Sequence, residues 1–428
     1  MKKVLLASTA LLAFAAAAQA AEPVKLGLGG YMAEYFGYAS NKNNIFGAGS
    51  NANAVDVQSD VNVNFLGSTK LDNGISVAVE VDTFGSQRKD SRNVAYNGAA
   101  GNSNVKRDYM TISGAFGALI VGEREDALYI VHNSAPDVGS IGLQDGTWFQ
   151  WVADPSFHHT YNTTNTARYD NRTNKISYVT PAFYGLAAAA SYVPNTSLSG
   201  SGHTTIPSSS DSFGSSNVLK NGLINGIDLS GDVYGAGLAY ANTFGDVSVK
   251  ADAGVAQANA ANLRLYQGGT QVSYAGFTFG GSILNRQVPS SAQLYTTAAI
   301  KDSAGNTAVA ANSYVANSIV RSAAYAGQSW DLGASYTTGP FAVSVGYFHD
   351  TTKNDSRVLD ANLTAAQKAL GGADSTQVWS LGGAYTMGPG VVWQNEVSYV
   401  DYKDGASTGT ITHKNSGVAA VTGMKVTF

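Results

Sequence analysis

The chain has 428 residues, 48 of them Gly and none Cys, with a net charge of −4 and only 13% charged residues, about half the roughly 25% of soluble domains. Past the N-terminus no apolar run approaches the ~18 residues of a membrane-spanning helix, and the absence of Cys excludes disulfides and thiolate-bound metals. The 23 Tyr and 16 Phe argue against disorder, and the acidic balance gives no footing for nucleic acid.

Lys2 and Lys3 precede an apolar stretch, Val4 to Ala18, that ends in the small-x-small triplet Ala18-Gln19-Ala20. This is the pattern of a cleaved export signal. Residues 1–20 are expected to be removed and 21–428 to form one folded unit. Losing Lys2 and Lys3 makes that unit two charges more negative.

From there the apolar period is two. Ile75, Val77, Val79 and Val81 alternate with Ser76, Ala78, Glu80 and Asp82; Trp330, Leu332, Ala334 and Tyr336 alternate with Asp331, Gly333 and Ser335. The C-terminus repeats the pattern, with Val418, Ala420, Thr422, Met424, Val426 and Phe428 on one parity and Lys425 on the other. Successive strand side chains point to opposite faces, so each strand has one apolar and one small or polar face. Turn signals at Asp72-Asn73-Gly74, Gly114-Ala115-Phe116-Gly117, Phe244-Gly245-Asp246, Ala275-Gly276, Gly339-Pro340 and Gly388-Pro389-Gly390 pair these strands into hairpins. Long polar segments, such as 195–225 and 287–327, join the hairpins. Strands are expected near 26–38, 57–71, 75–84, 106–113, 118–123, 168–179, 186–193, 229–243, 247–256, 265–274, 277–285, 328–337, 341–351, 376–386, 391–402 and 417–428. Glu34 shares parity with Leu26 and Leu28, and a bulge at Gly29-Gly30 is expected to turn it inward.

Strands of about ten residues with an apolar face suit a tilted crossing of a bilayer, where a sheet must close on itself to pair every backbone group. The fold expected is all-β: a sixteen-stranded antiparallel transmembrane barrel with short turns at one rim and long loops at the other. Tyr178, Phe183, Trp379, Tyr385, Trp393 and Tyr399 would form its aromatic girdles. The competing architecture is a secreted or surface β-protein acting as an adhesin.

Several segments resemble the sixteen-stranded Gram-negative diffusion porins of proteobacteria. They are Phe65 to Gly74, Arg107-Asp108-Tyr109 with Ser113 to Gly117, Val121-Gly122, Asn174 to Tyr178, Thr180 to Gly185, and the terminal Phe428. One departure is Glu123, where many relatives place a base directly after the glycine; here Arg124 follows instead. The resemblance implies a homotrimeric, water-filled channel in the bacterial outer membrane. It would be surrounded by outer-membrane lipid and lipopolysaccharide, with the assembly machinery reading the C-terminal strand through Phe428, and small hydrophilic solutes passing by diffusion. A substrate-selective channel is the close alternative. The third long loop, about Arg124 to Ala167, would fold into the pore, and its apolar Leu128, Ile130, Val131, Ile141 and Leu143 suit packing there.

The charged candidates follow from this layout. Loop acids Glu123, Glu125, Asp126, Asp137, Asp145 and Asp154 face a single base, Arg124, and are expected at the constriction. Lys70, Glu80, Asp82, Arg107, Lys175, Lys250 and Glu396, with Asp252, Asp331 and Lys425, are expected on the lumen wall. The loop excess would give modest selectivity for K⁺ over Cl⁻, reduced by replacing Asp137 and Asp145 with Asn. Parity leaves the facing of Arg168 and Arg172 open. Gly405-Ala406-Ser407-Thr408-Gly409 matches a hydrolase pattern but no helix follows it, and His158-His159 lacks a third ligand. No enzymatic activity and no cofactor are expected. Calcium on loop acids is the one alternative.

Overall fold

The computed structural model describes residues 23–42, 54–86, 105–140, 142–143, 146–153, 163–166, 173–194, 232–259, 263–287, 326–352, 373–403 and 414–428, with four short strand segments between 293 and 316. Residues 1–20, Ile141, Asp145, Asp154, His158, His159, Arg168, Arg172 and Gly405 to Gly409 lie outside the described residues.

Sixteen strands close into one antiparallel barrel. They are β1 (Lys25–Ala39), β2 (Val55–Lys70), β3 (Ser76–Ser86), β4 (Val105–Gly114), β5 (Gly117–Glu123), β6 (Asn174–Val179), β7 (Leu186–Val193) and β8 (Val233–Phe244). The second half comprises β9 (Val247–Ala258), β10 (Leu263–Tyr274), β11 (Phe277–Gln287), β12 (Gly327–Thr338), β13 (Phe341–Thr352), β14 (Asp374–Gly388), β15 (Val391–Lys403) and β16 (Asn415–Thr427). Each strand pairs with the next, and β1 closes on β16 through Tyr31↔Thr427 to Ala39↔Ala419. The backbone of Phe428 completes the seam, exchanging hydrogen bonds with Gly30 at 3.0 and 3.1 Å. Two short hairpins, Gln293–Thr296 with Ser313–Ala316 and Ile300–Lys301 with Thr307–Val309, occupy the β11–β12 connection.

The period-two expectation holds strand by strand. Leu26, Leu28, Phe36, Val57, Leu332, Val345, Leu381 and Val397 are exposed on the outside, while Ala33, Tyr35, Leu284, Phe348, Val378 and Val400 are buried inside. Phe183, Trp379, Trp393 and Tyr399 are exposed near strand ends, as girdle residues require. The tight turns use positive φ where the sequence supplies it: Ala275 (φ 49) with Gly276 (φ 87) joins β10 to β11, and Tyr184 (φ 49) with Gly185 (φ 85) joins β6 to β7, the backbone of a type I′ hairpin turn.

Strand β6 is described from Asn174 and β8 from Val233, and the starts expected near 168 and 229 lie outside the described residues. One expectation is corrected. The β1–β2 register runs without a shift from Lys25↔Ser68 to Tyr38↔Val55, so Gly29-Gly30 is no bulge. Glu34 therefore stays on the outer face with Met32 and Phe36, where Ser59 Oγ donates to its carboxylate at 2.7 Å.

Candidate functional site

The segment between β5 and β6 enters the lumen because its first residues are tied to the wall there. Arg107 on β4 donates to Glu125 through Nε at 2.8 Å and Nη2 at 2.6 Å, and to Asp82 on β3 through Nη1 at 2.9 Å. Lys175 on β6 is almost fully buried and donates to the carbonyls of Arg124 and Thr173. Asp126 then caps a short helix α1 (Ala127–Val131), accepting from Tyr129 N at 2.7 Å and Thr166 Oγ1 at 3.0 Å. Burial pushes the Asp126 carboxyl above its ordinary range, against the lowering effect of the Tyr129 N–H.

Beyond α1 the chain follows the inner wall strand after strand. Leu128 is fully buried against Gly235 of β8 and Gly254 of β9, where any Cβ would meet its methyl groups. Asp252 on β9 accepts from Asn133 N at 2.7 Å and pairs with His132 Nδ1 at 2.9 Å. Gln267 and Gln271 on β10 donate to the carbonyls of Leu128 and Ser134. Asp331 on β12 accepts from Ala135 N at 2.8 Å, from Thr164 Oγ1 at 2.9 Å and from Ser282 Oγ at 2.7 Å. Glu396 on β15 accepts from Gly142 N at 3.2 Å and from the hydroxyls of Ser380 and Ser398 at 2.6 and 2.7 Å.

The far end of the segment is a single 3₁₀ turn, Trp148–Gln150. Trp148 lies on Phe348 of β13 with ring centroids 5.0 Å apart, and Trp151 lies over Gly37 of β1. Tyr402 Oη donates to Val152 O at 3.1 Å, Asn415 Nδ2 donates to Ala153 O at 2.7 Å, and Gln58 on β2 reaches Gln150 O at 3.3 Å. The loop thus lines the wall from β6 round through β16 to β1 and β2. Small lumen-side residues make this path: a Cβ at Gly37, Gly269, Gly333, Gly346, Gly382 or Gly417 would run into the loop or crowd it.

Several expected roles change as a result. Asp252, Asp331 and Glu396 face inward as expected, but they hold the loop in place and do not present a row of charge to solutes. Asp137 turns into its own segment, accepting from Gly139 N at 3.0 Å and Leu143 N at 2.6 Å, because a backbone bend offers it two nearby donors. Glu123 pairs in register with Asp108 and Asn174, on the strand face opposite Gly122 and Lys175, so it is not a constriction residue. Asp82 and Lys175 are lumen-side but fully engaged. Lys70, Glu80, Lys250 and Arg124 are half-buried on the lumen side. Among the described residues the arc of β2 to β4 meets the loop at Gln58, Arg107 and Tyr109, and Asp60, Lys70 and Glu80 also stand there, the Tyr109 hydroxyl donating to Glu80. Arg124 sits over the Tyr109 ring, 4.6 Å from its centroid. The partners Ser191, Gln267, Gln271, Thr164 and Thr166 were not foreseen. Glycines recurring on the polar parity of consecutive strands were the available signal.

A family model described as Gram-negative porin matches residues 7–405. The chain is similar in structure to a loop L8 deletion mutant of OmpT, an outer membrane protein of Vibrio cholerae, at TM-score 0.52 and 10% identity, covering 95% of this chain and 100% of that one. In vitro folded OmpT of Vibrio cholerae in its trimer form gives TM-score 0.50 at 11% identity with the same coverage of 95% and 100%. An anion-selective porin from Comamonas acidovorans gives TM-score 0.49 at 15% identity, again over 95% and 100%. At such identities the likeness shows the fold alone. No curated protein matches the sequence significantly.

Proposed function

The chain belongs to the Gram-negative porin family, an outer-membrane barrel whose lumen is a channel for passive diffusion, and from that premise we propose the finer properties of this pore. It passes small hydrophilic solutes and ions, with a weak preference for K⁺ over Cl⁻. The observation that carries this reading is the arc of β2 to β4 with the loop root beside it. There the acids Asp60, Glu80, Asp82 and Glu125 outnumber the bases Lys70, Arg107 and Arg124 by one, Asp82 and Glu125 both bonded to Arg107. A small acidic excess between low-dielectric walls concentrates cations, and salt screens it over roughly 8–10 Å. A reversal potential across a planar bilayer at low salt tests it. Cation preference is expected, reduced more by Glu80→Gln than by Asp137→Asn, because Asp137 is spent on loop amides. Anion preference at low salt would contradict the proposal.

The assembled form is a homotrimer in this reading. Supporting it is a polar island on the otherwise apolar outer belt, where β15, β16, β1 and β2 meet. Glu34 and Ser59 are register partners there, and Trp393 Nε1 donates to Thr422 Oγ1, which donates to Asn395 Oδ1, both at 2.8 Å. A carboxylate facing hydrocarbon is costly, and a second copy covering this face removes the cost. Glu34→Leu is expected to lower the temperature at which the trimer band dissociates on a mild detergent gel, with the monomeric barrel still folded. A monomer for the unaltered protein by native mass measurement would reject the trimer.

Two further roles rest on sequence. Residues 1–20 act as the export signal. Phe428, exposed beside β1 at the end of the closing strand, is read by the barrel-assembly machinery. Its deletion is expected to lower the yield of folded barrel with the conductance of surviving channels unchanged. Normal yield would count against it.

A further inference from the structure

The outer wall over β6 to β10 contains a hollow of about 640 Å³ that the channel does not use. Its floor is set by register. Tyr178, Ala190, Ala236, Val255 and Tyr266 stand directly opposite one another on five successive strands, so two rings bracket small side chains. One row toward the turns, Ala188, Leu238 and Ala253 extend the same trough. The lining is apolar and opens outward, onto the hydrocarbon of the membrane.

The row immediately toward the loop end has a different chemistry. Two positions up each strand, roughly 7 Å along it, stand Tyr192, Tyr234, Gln257 and Arg264, again in register. The two tyrosine rings pack with centroids 4.9 Å apart and are half exposed. Arg264 is exposed and gives its Nε to Gln257 Oε1 at 3.2 Å, which orients the guanidinium along the wall. Asp232, the acid beside this row among the described residues, accepts from Asn259 Nδ2 with both oxygens at 3.0 Å and from the Tyr234 hydroxyl. Aromatic rings and a cation at interface height above an apolar trough match a lipid with a phosphate head and acyl tails.

We propose that this hollow seats an acyl chain of one lipid A molecule of the outer leaflet, with a lipid A phosphate on Arg264. The inference rests on the outer-membrane location of the barrel and not on its ion preference or oligomeric state. Lipid A is the occupant because the charged row lies at the loop end, which faces the outer leaflet, and because its phosphates are anionic where phosphatidylethanolamine is neutral overall.

The test is native mass measurement of the intact protein after detergent exchange, following incubation with hexa-acylated lipid A or with phosphatidylethanolamine. The unaltered protein is expected to retain lipid A and to lose phosphatidylethanolamine. Removing a charge-assisted contact by Arg264→Gln should lower lipid A retention about tenfold. Filling the trough by Ala236→Trp should abolish retention. Both variants should keep unaltered single-channel conductance, which shows that the barrel has folded. Three results would overturn the proposal: equal lipid A retention in Ala236→Trp, phosphatidylethanolamine retained as well as lipid A and indifferent to Arg264→Gln, or Ala236→Trp separating copies of the chain with lipid retention unchanged.

Discussion

Replacing Gly346 with leucine should push the inner loop off the wall and lower single-channel conductance well below that of the unaltered channel. Gly346 lies on the lumen face of β13, and a Cβ there would run into Leu143 Cδ1. Leu143 is buried, and its amide bonds Asp137 of the same loop at 2.6 Å, so the side chain and its loop segment shift together. Overpacking of this kind costs about 1–3 kcal/mol where the site cannot relax. The barrel strands are held by continuous ladders, so the loop yields first and moves toward the pore axis. Gly383→Leu is the control. Gly383 is on the outer parity of β14, where the nearest atom to an added Cβ is 4.0 Å away, and it should leave conductance unchanged. Unaltered conductance in Gly346→Leu would show that Leu143 does not rest there.

The second large effect is on stability. Arg107→Gln should destabilise the folded barrel by about 3–5 kcal/mol, the usual cost of leaving buried charges unpaired. Asp82 is fully buried and Glu125 nearly so, and both bond to one guanidinium whose side chain is 23% exposed. The loss should appear as a lower temperature of heat-induced unfolding on detergent gels. Neutralising the acids as well, in Arg107→Gln with Asp82→Asn and Glu125→Gln, should recover much of it, because hydrogen-bonded neutral groups replace stranded carboxylates. A variant as stable as the unaltered protein would mean that water, not Arg107, balances these acids.

Strand positions and facing were legible because a barrel in lipid leaves the sequence little freedom: outward residues must be apolar, inward ones need not be, and the period of two records the difference. Hairpin turns were legible for a related reason, since Asn73-Gly74 or Ala275-Gly276 supplies backbone angles that few other pairs tolerate. The inward third loop was implied by the family resemblance, and the length of the segment and its apolar Leu128 and Leu143, both of which are buried, agree with it. What period and charge counting do not carry is the partner of each inward residue. Asp252, Asp331 and Glu396 read as lumen charges until the loop backbone supplies their donors, from residues over a hundred positions away. Glu123 shows the converse error. Counting it with the loop ignored its place as the last residue of β5, where register sets its face. Glu34 looked misplaced for an isolated barrel, and a bulge was invoked to turn it inward. The unbroken register shows it outside.

The central claim is that the inner loop lies against the barrel wall around most of its circumference, leaving a channel beside it. Because the chain has no cysteine, an engineered pair reports on this cleanly. A Cβ at Gly333 of β12 would lie 3.2 Å from Ala135 Cβ, near the separation a disulfide spans. Ala135→Cys with Gly333→Cys should form a disulfide on mild oxidation in membranes, and single-channel conductance should be the same before and after the bond closes. Failure of the pair to cross-link in a folded, conducting barrel would contradict the account.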